Sequence, residues 1–179
     1  MAAISQKKVR NFVDRSRRAR KTKTQGQIFE DLVCYLVESV PGISVTKRNI
    51  LNAYHSEEVD VGIWNEKSAS GFYFLPNTIL IEAKNWSAAV GSQDVVSFIA
   101  KLKARGLEFG FLVALNGITG SQQDITAARD HIRQALHDRI SVVVVKRADF
   151  EKFKSGRDFV EFVKEKLCEL AVSGTQFDQ

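Results

Sequence analysis

The chain of 179 residues predicts an α/β fold, a mixed sheet flanked by helices on both faces. Three observations lead there. A run with helical period at 25–40 is followed by three strand-like runs before residue 84. Two later apolar runs, 109–115 and 140–145, are continuous rather than alternating, the mark of strands covered on both sides. Segments of helical period separate these later strands, and strands followed by helical crossovers imply a mixed sheet between two helical layers.

Within 25–40, Phe29, Leu32, Val33, Leu36, Val37 and Val40 recur at intervals of three and four, an amphipathic helix that Pro41-Gly42 stops. Residues 43–48 and 57–64 read as strands, and 49–56 either extends one of them or turns between them. A polar loop covers 67–71, Pro76-Asn77 marks a turn, and the β-prone run 78–83 is the candidate central strand. After Lys84 the period changes. Val95, Phe98, Ile99 and Leu102 share one helical face over 92–103, and Gly106 ends that helix. Ser121, with Asp124 three residues on, resembles a capping box that opens a helix to residue 137. A last helix spans 158–170, with Phe159, Phe162, Val163, Leu167 and Cys168 as its apolar positions.

Charge divides the chain in two. Residues 1–24 hold nine Lys or Arg against the single acid Asp14 (+8), whereas the rest carries seventeen bases and twenty acids (−3). The first segment has few apolar anchors (Ile4, Val9, Phe12, Val13), so the expectation is a basic arm over 1–24, unfolded or helical only when bound, joined to one domain over 25–179. Arg15, Arg17, Arg18, Arg20, Lys21 and Lys23 are its candidate nucleic-acid contacts, since a cation on a phosphate releases condensed counterions.

Other classes are excluded. The apolar run before Lys7 is too short for a signal peptide, and the longest apolar stretches are strand-length, so a cytoplasmic protein with no membrane partner is expected. Cys34 and Cys168 lack a C-x-x-C context and read as two buried, reduced thiols. His55, His131 and His137 show no metal-ligand spacing. The glycine-rich loop 116–120 lacks the Lys-Ser/Thr of a phosphate-binding loop.

The chemistry concentrates in two runs. In Ile79-Leu80-Ile81-Glu82-Ala83-Lys84, side chains alternate, so Glu82 and Lys84 share a face at the end of a strand otherwise fit for the core. In Glu57-Glu58-Val59-Asp60-Val61-Gly62-Ile63, Asp60 lies on the polar face beside Gly62, whose missing side chain leaves space. If the two strands pair, Asp60 and Glu82 converge, with Lys84 beside them. Two carboxylates, with the Ala83 carbonyl as a further oxygen, suit a hard divalent cation such as Mg²⁺, and a neighbouring lysine can orient water or stabilise charge on a phosphorane.

The pattern Asp60…Glu82-Ala83-Lys84 resembles the PD-(D/E)XK nuclease superfamily. Gly26-Gln27-Ile28-Phe29-Glu30, Ile81 to Trp86, Val90-Gly91 and the strand Gly110-Phe111-Leu112-Val113 are similar to its restriction-endonuclease-like, Mrr-like type IV branch. The likeness covers residues 25–145. It implies an αβββαβ core and a Mg²⁺-dependent endodeoxyribonuclease of restriction or defence type, with Mn²⁺ able to substitute. Asp60 and Glu82 would hold the metal, Lys84 would assist the attacking water, and Glu30 would be an accessory acid. Gln93 is a candidate contact to phosphate or water. Trp86 is a candidate for stacking on a base or sugar, or for covering the end of the sheet. Val59 stands where the family often has Pro, and Glu82 where many Mrr-like members have Gln. Two alternatives stay open: a junction-cleaving nuclease similar to the Holliday-junction resolvases, and a DNA-binding module without catalysis. Cutting both strands of a duplex takes two sites or two visits, which admits a homodimer.

Overall fold

A computed structural model describes residues 2–51, 58–84, 90–114, 117–118, 122–174 and 176. Its sheet has the strands β1 (Ile43–Leu51), β2 (Glu58–Asn65), β3 (Thr78–Lys84), β4 (Phe109–Ala114) and β5 (Ser141–Lys146), side by side in that order. The β1–β2 and β2–β3 pairs are antiparallel; the β3–β4 and β4–β5 pairs are parallel. The parallel pairs are the ones whose connections contain helices α3 (Ser92–Ala104) and α4 (Gln122–Ala135), as parallel pairing requires. The mixed α/β architecture expected from the sequence is therefore the one observed.

Period-two alternation divides the core between the two faces. Ile79, Ile81, Phe111, Val113, Val143 and Val145 pack toward helices α2 (Thr22–Val37) and α6 (Gly156–Ser173), the latter preceded by the single turn α5 (Arg147–Phe150). Leu80, Leu112, Val142 and Val144 pack toward α3 and α4. Gly110 sets how closely α3 approaches: a Cβ there would lie 2.6 Å from Phe98 Cζ and 3.0 Å from the Leu102 methyl carbons. Its absence lets α3 lie directly on β3 and β4. Strand β5 ends the sheet, and the Gln176 amide covers part of its open edge. It accepts from Val144 N–H at 2.9 Å and donates to the Val142 carbonyl at 2.6 Å.

The first residues depart from expectation. Instead of an arm that is unfolded or helical only when bound, Gln6–Arg18 forms helix α1 packed on the body, capped by Ser5, with Val9, Val13 and Ser16 buried. Ile4, Val9 and Val13 join the core cluster that holds α2, and burial of each is worth roughly 1.5–3 kcal/mol. That is enough to hold a helix whose length would leave it marginal in isolation. Tyr35 Oη accepts from Ser5 N–H at 2.9 Å, and the Gln6 amide donates to the Phe150 and Phe153 carbonyls. Ser16 Oγ donates to the Gln25 carbonyl at 3.1 Å and the Gln25 amide to the Ala19 carbonyl at 2.7 Å, fixing the turn into α2. Helix α2 accordingly starts at Thr22 rather than at residue 25.

Cys168 is a second correction. Cys34 is buried, and burial pushes its thiol up to about 11, but Cys168 is exposed. The buried stripe of α6 runs through Phe159, Val160, Val163 and Leu170, and residue 168 lies off that stripe by helical geometry. Ser121 and its capping box, most of 49–56 and most of the loop 116–120 lie outside the described residues. Among the described residues, no helix is long and apolar enough to cross a membrane.

Candidate active site

The site arises where two ladders on β3 end at different points. Pairing with β4 continues to Lys84↔Ala114, whereas pairing with β2 stops at Val61↔Ile81. Extending the latter register by one residue brings Asp60 opposite Glu82. Past this point a side chain takes over from the ladder: Ala83 N–H donates to Asp60 Oδ2 at 2.7 Å. Gly62, expected to leave open space, instead faces the Lys47 Cβ and a Leu80 methyl across neighbouring strands. Ala83 packs toward the α2 side, so Glu82 is on the α3 side, where it is only 7% exposed.

Glu82 has two cationic neighbours. Lys84 Nζ lies 2.8 Å from Oε1, and Lys101 Nζ lies 2.6 Å from Oε2. Burial opposes the charge on Lys84. The hydrogen bond and charge of Glu82, aided by Asp60 and Asp94, outweigh that and raise its pKa above the ordinary lysine value. Lys84 is thus held as an ammonium. Asp60 is pushed the other way for a carboxyl: burial first, then the charge of Glu82, raise it to about 6, against the Ala83 N–H, Lys84 and Lys101. Two carboxylates kept this close in a partly dry setting are an electrostatic cost that a bound cation would relieve.

Sequence reasoning missed Lys101 and Asp94. They lie seven residues apart on one face of α3, with Phe98 between them, and Asp94 also accepts from Gly91 N–H at 3.2 Å. The available signal was their position beside the buried Val95, Phe98 and Leu102 stripe. Gln93, singled out instead, is on the exposed side of the first turn of α3.

Glu30 comes from α2 into a cleft of about 630 Å³ that it lines with Asp60, Asn49, Lys23, Gly26 and Gln27. Its carboxylate accepts from Asn49 Nδ2 at 2.8 Å and lies 3.7 Å from Arg48, which also pairs with Asp31 at 2.7 Å. Asn49 holds the left-handed conformation (φ 50) within β1, an unusual strand geometry that presents its amide to Glu30. Arg15, Arg17 and Arg18 are exposed on α1. Arg20 and Lys21 are exposed in the link to α2, and Lys23 continues this basic surface to the cleft wall. Trp86 lies outside the described residues.

Among the described residues, no group of three His, Cys, Asp or Glu side chains is placed to hold a metal ion. The available donors are Asp60, Glu82 and the Ala83 carbonyl. This sparse, all-oxygen set fits Mg²⁺, which uses one or two carboxylates and keeps much of its water.

No curated protein matches the chain. The family model of the Mrr catalytic domain, described as a restriction endonuclease, matches residues 21–144. That segment opens with α2 and closes within β5, and it contains β1 to β4 whole and both walls of the cleft. The chain therefore belongs to this restriction endonuclease family.

Proposed function

We propose that the protein is a divalent-metal-dependent endodeoxyribonuclease that hydrolyses DNA phosphodiesters in a restriction or defence role. The observation that carries the reading is the convergence of Asp60, Glu82 and Lys84 where the β2–β3 ladder opens beside a cleft. Asp60, Glu82 and the Ala83 carbonyl are the residues that would hold Mg²⁺ or Mn²⁺. A bound divalent ion supplies charge that polarises the scissile phosphate.

Lys84, held as an ammonium beside Glu82, donates hydrogen bonds and accepts none. Its work is to donate hydrogen bonds, orienting the attacking water and offsetting the negative charge that builds on the phosphorus centre. Glu30, tethered by Asn49, is set to order water in the cleft or to turn away a misplaced phosphate. Arg15, Arg17, Arg18, Arg20, Lys21 and Lys23 take successive backbone phosphates and lead the duplex toward the cleft.

Supercoiled plasmid incubated with the protein and Mg²⁺ or Mn²⁺ tests this directly. Cleavage by the wild-type chain and its loss in Lys84→Ala and Asp60→Ala are expected. Equal cleavage by all three would defeat the assignment. A four-way junction offered beside linear duplex reads the substrate class.

A further inference from the structure

Both oxygens of Glu82 are engaged, by cations from different elements: Lys84 on its own strand and Lys101 on α3, nineteen residues away. Lys84 has a role in the proposed hydrolysis. Lys101 does not, yet its side chain is only 12% exposed. A lysine taken that far out of water stays ionised because carboxylates such as Glu82 lie beside it.

Asp60 and Glu82 face the ammonium groups of Lys84 and Lys101, and Asp94 also acts on Lys84. A divalent ion entering between the two carboxylates would place two more positive charges beside both ammonium groups, in a region where like charges repel far more than in water. One of the ammonium contacts to Glu82 must then weaken. Glu82 and Lys84 remain neighbours on one face of β3 wherever the Lys84 ammonium turns, so Lys84 stays at the site. The Lys101 contact depends on a long, flexible stem rooted in another element, and it can be released without moving the sheet.

We infer that Lys101 is an intramolecular competitor for the metal site: its ammonium occupies Glu82 Oε2, a divalent ion displaces it, and this competition sets the metal affinity. The inference rests on Asp60 and Glu82 being the metal ligands. Lys101 acts on the chemistry only through Glu82 and is a positioning residue. Its departure also removes a positive charge from Glu82 as the ion arrives, so metal entry and lysine release are coupled.

The test is a titration of the full-length protein with Mn²⁺ alone, following the paramagnetic resonance of the free ion, for wild type, Lys101→Met, Lys101→Arg and Asp60→Ala. Lys101→Met should bind Mn²⁺ roughly fivefold or more tightly than wild type, the low end of typical coupling between two competing interactions. Lys101→Arg should return toward wild type. Equal or weaker binding by a folded Lys101→Met overturns the inference. Should that variant fail to fold, acetylation of Lys101 in the wild-type chain, read by peptide mass spectrometry, replaces it. The rate should rise with saturating Mn²⁺, and an unchanged rate overturns the competition. Mn²⁺ binding by wild type that is abolished in Asp60→Ala supports the metal site whatever Lys101→Met does. If neither wild type nor Lys101→Met binds Mn²⁺, the metal reading itself fails and the competition falls with it.

Discussion

At the Pro76-Asn77 end of the β2–β3 pair, Asn65 is completely buried. Its amide donates to the carbonyls of Phe72 at 2.8 Å, Leu75 at 3.3 Å and Pro76 at 3.1 Å, and its oxygen accepts from Lys67 N–H at 3.0 Å. Asn77 completes the arrangement, exchanging bonds with the Asn65 backbone. At the opposite end of the same two strands, Asp60, Glu82, Lys84 and Lys101 are matched mainly to one another, and Asp60 is raised to about 6. Both ends bury polar side chains. One uses neutral groups bonded to the backbone, with little left to offer a ligand. The other uses charges whose partners can be exchanged, as a reacting site requires.

Paired substitutions at the two ends should separate these roles. Lys84→Met is expected to lower the plasmid cleavage rate by roughly 10²–10³-fold, the usual scale for one preorganised charge at a transition state. Its cost to stability should be only about 1–2 kcal/mol, because Lys101 stays on Glu82. Asn65→Ala should do the reverse. Stranding buried carbonyls should cost about 2–3 kcal/mol in a denaturant titration, while the rate per folded molecule stays near wild type. A large rate loss in Asn65→Ala with the fold intact would erase the distinction.

Asp60 sharpens the comparison through pH. Its folded pKa of about 6 lies above the ordinary 3.8, so the folded protein binds that proton more tightly than the unfolded chain. Stability then falls as pH rises from about 4 through 6, and the full cost, about 2–3 kcal/mol, is present above that window. Asp60→Asn carries no such charge and its Oδ1 can still accept from Ala83 N–H. In chelator, Asp60→Asn should therefore be more stable than wild type by about that amount near pH 7.5 and nearly equal to it near pH 4. A variant less stable than wild type near neutral pH would mean that the Asp60 charge supports the fold rather than straining it.

How much of this was legible in the sequence depends on which forces each residue answers to. Strand β3 declares itself because Ile79, Leu80 and Ile81 are apolar and Glu82 and Lys84 break the run with period two. Asp60 was readable for the same reason, within an alternating strand. Lys101 was not. A lysine beside an apolar helical stripe ordinarily reaches solvent, and its partner Glu82 lies on another element that the spacing within α3 does not reveal. Helix α1 was obscured by its charge: Val9, Val13 and Ser16 form a narrow buried face among many exposed cations, so composition outweighed periodicity. The pairing of Glu30 with Asn49 goes with a left-handed backbone at residue 49, which Asn tolerates but which the β-prone Ile-Leu after it masks.

The docked helix changes what the basic segment can do at long range, and this gives the smallest effect. A flexible arm would neutralise phosphates wherever it touched them, and its charges would be nearly interchangeable. Charges on a helix held by Ile4, Val9 and Val13 have fixed places. Lys23 lines the cleft that contains Asp60, whereas Lys7 is in the first turn of α1, at the other end of that helix from the link to α2. Single neutralisations by Gln, followed by DNA-binding titrations across a range of salt, read this difference. Taking one cation off a phosphate should lower the slope of log affinity against log salt by about 0.9. Lys23→Gln should show that full decrement, with melting temperature unchanged because the side chain is exposed. Lys7→Gln should show less. Equal decrements at both positions would mean that the helix presents its charge without direction, as an unfolded arm would.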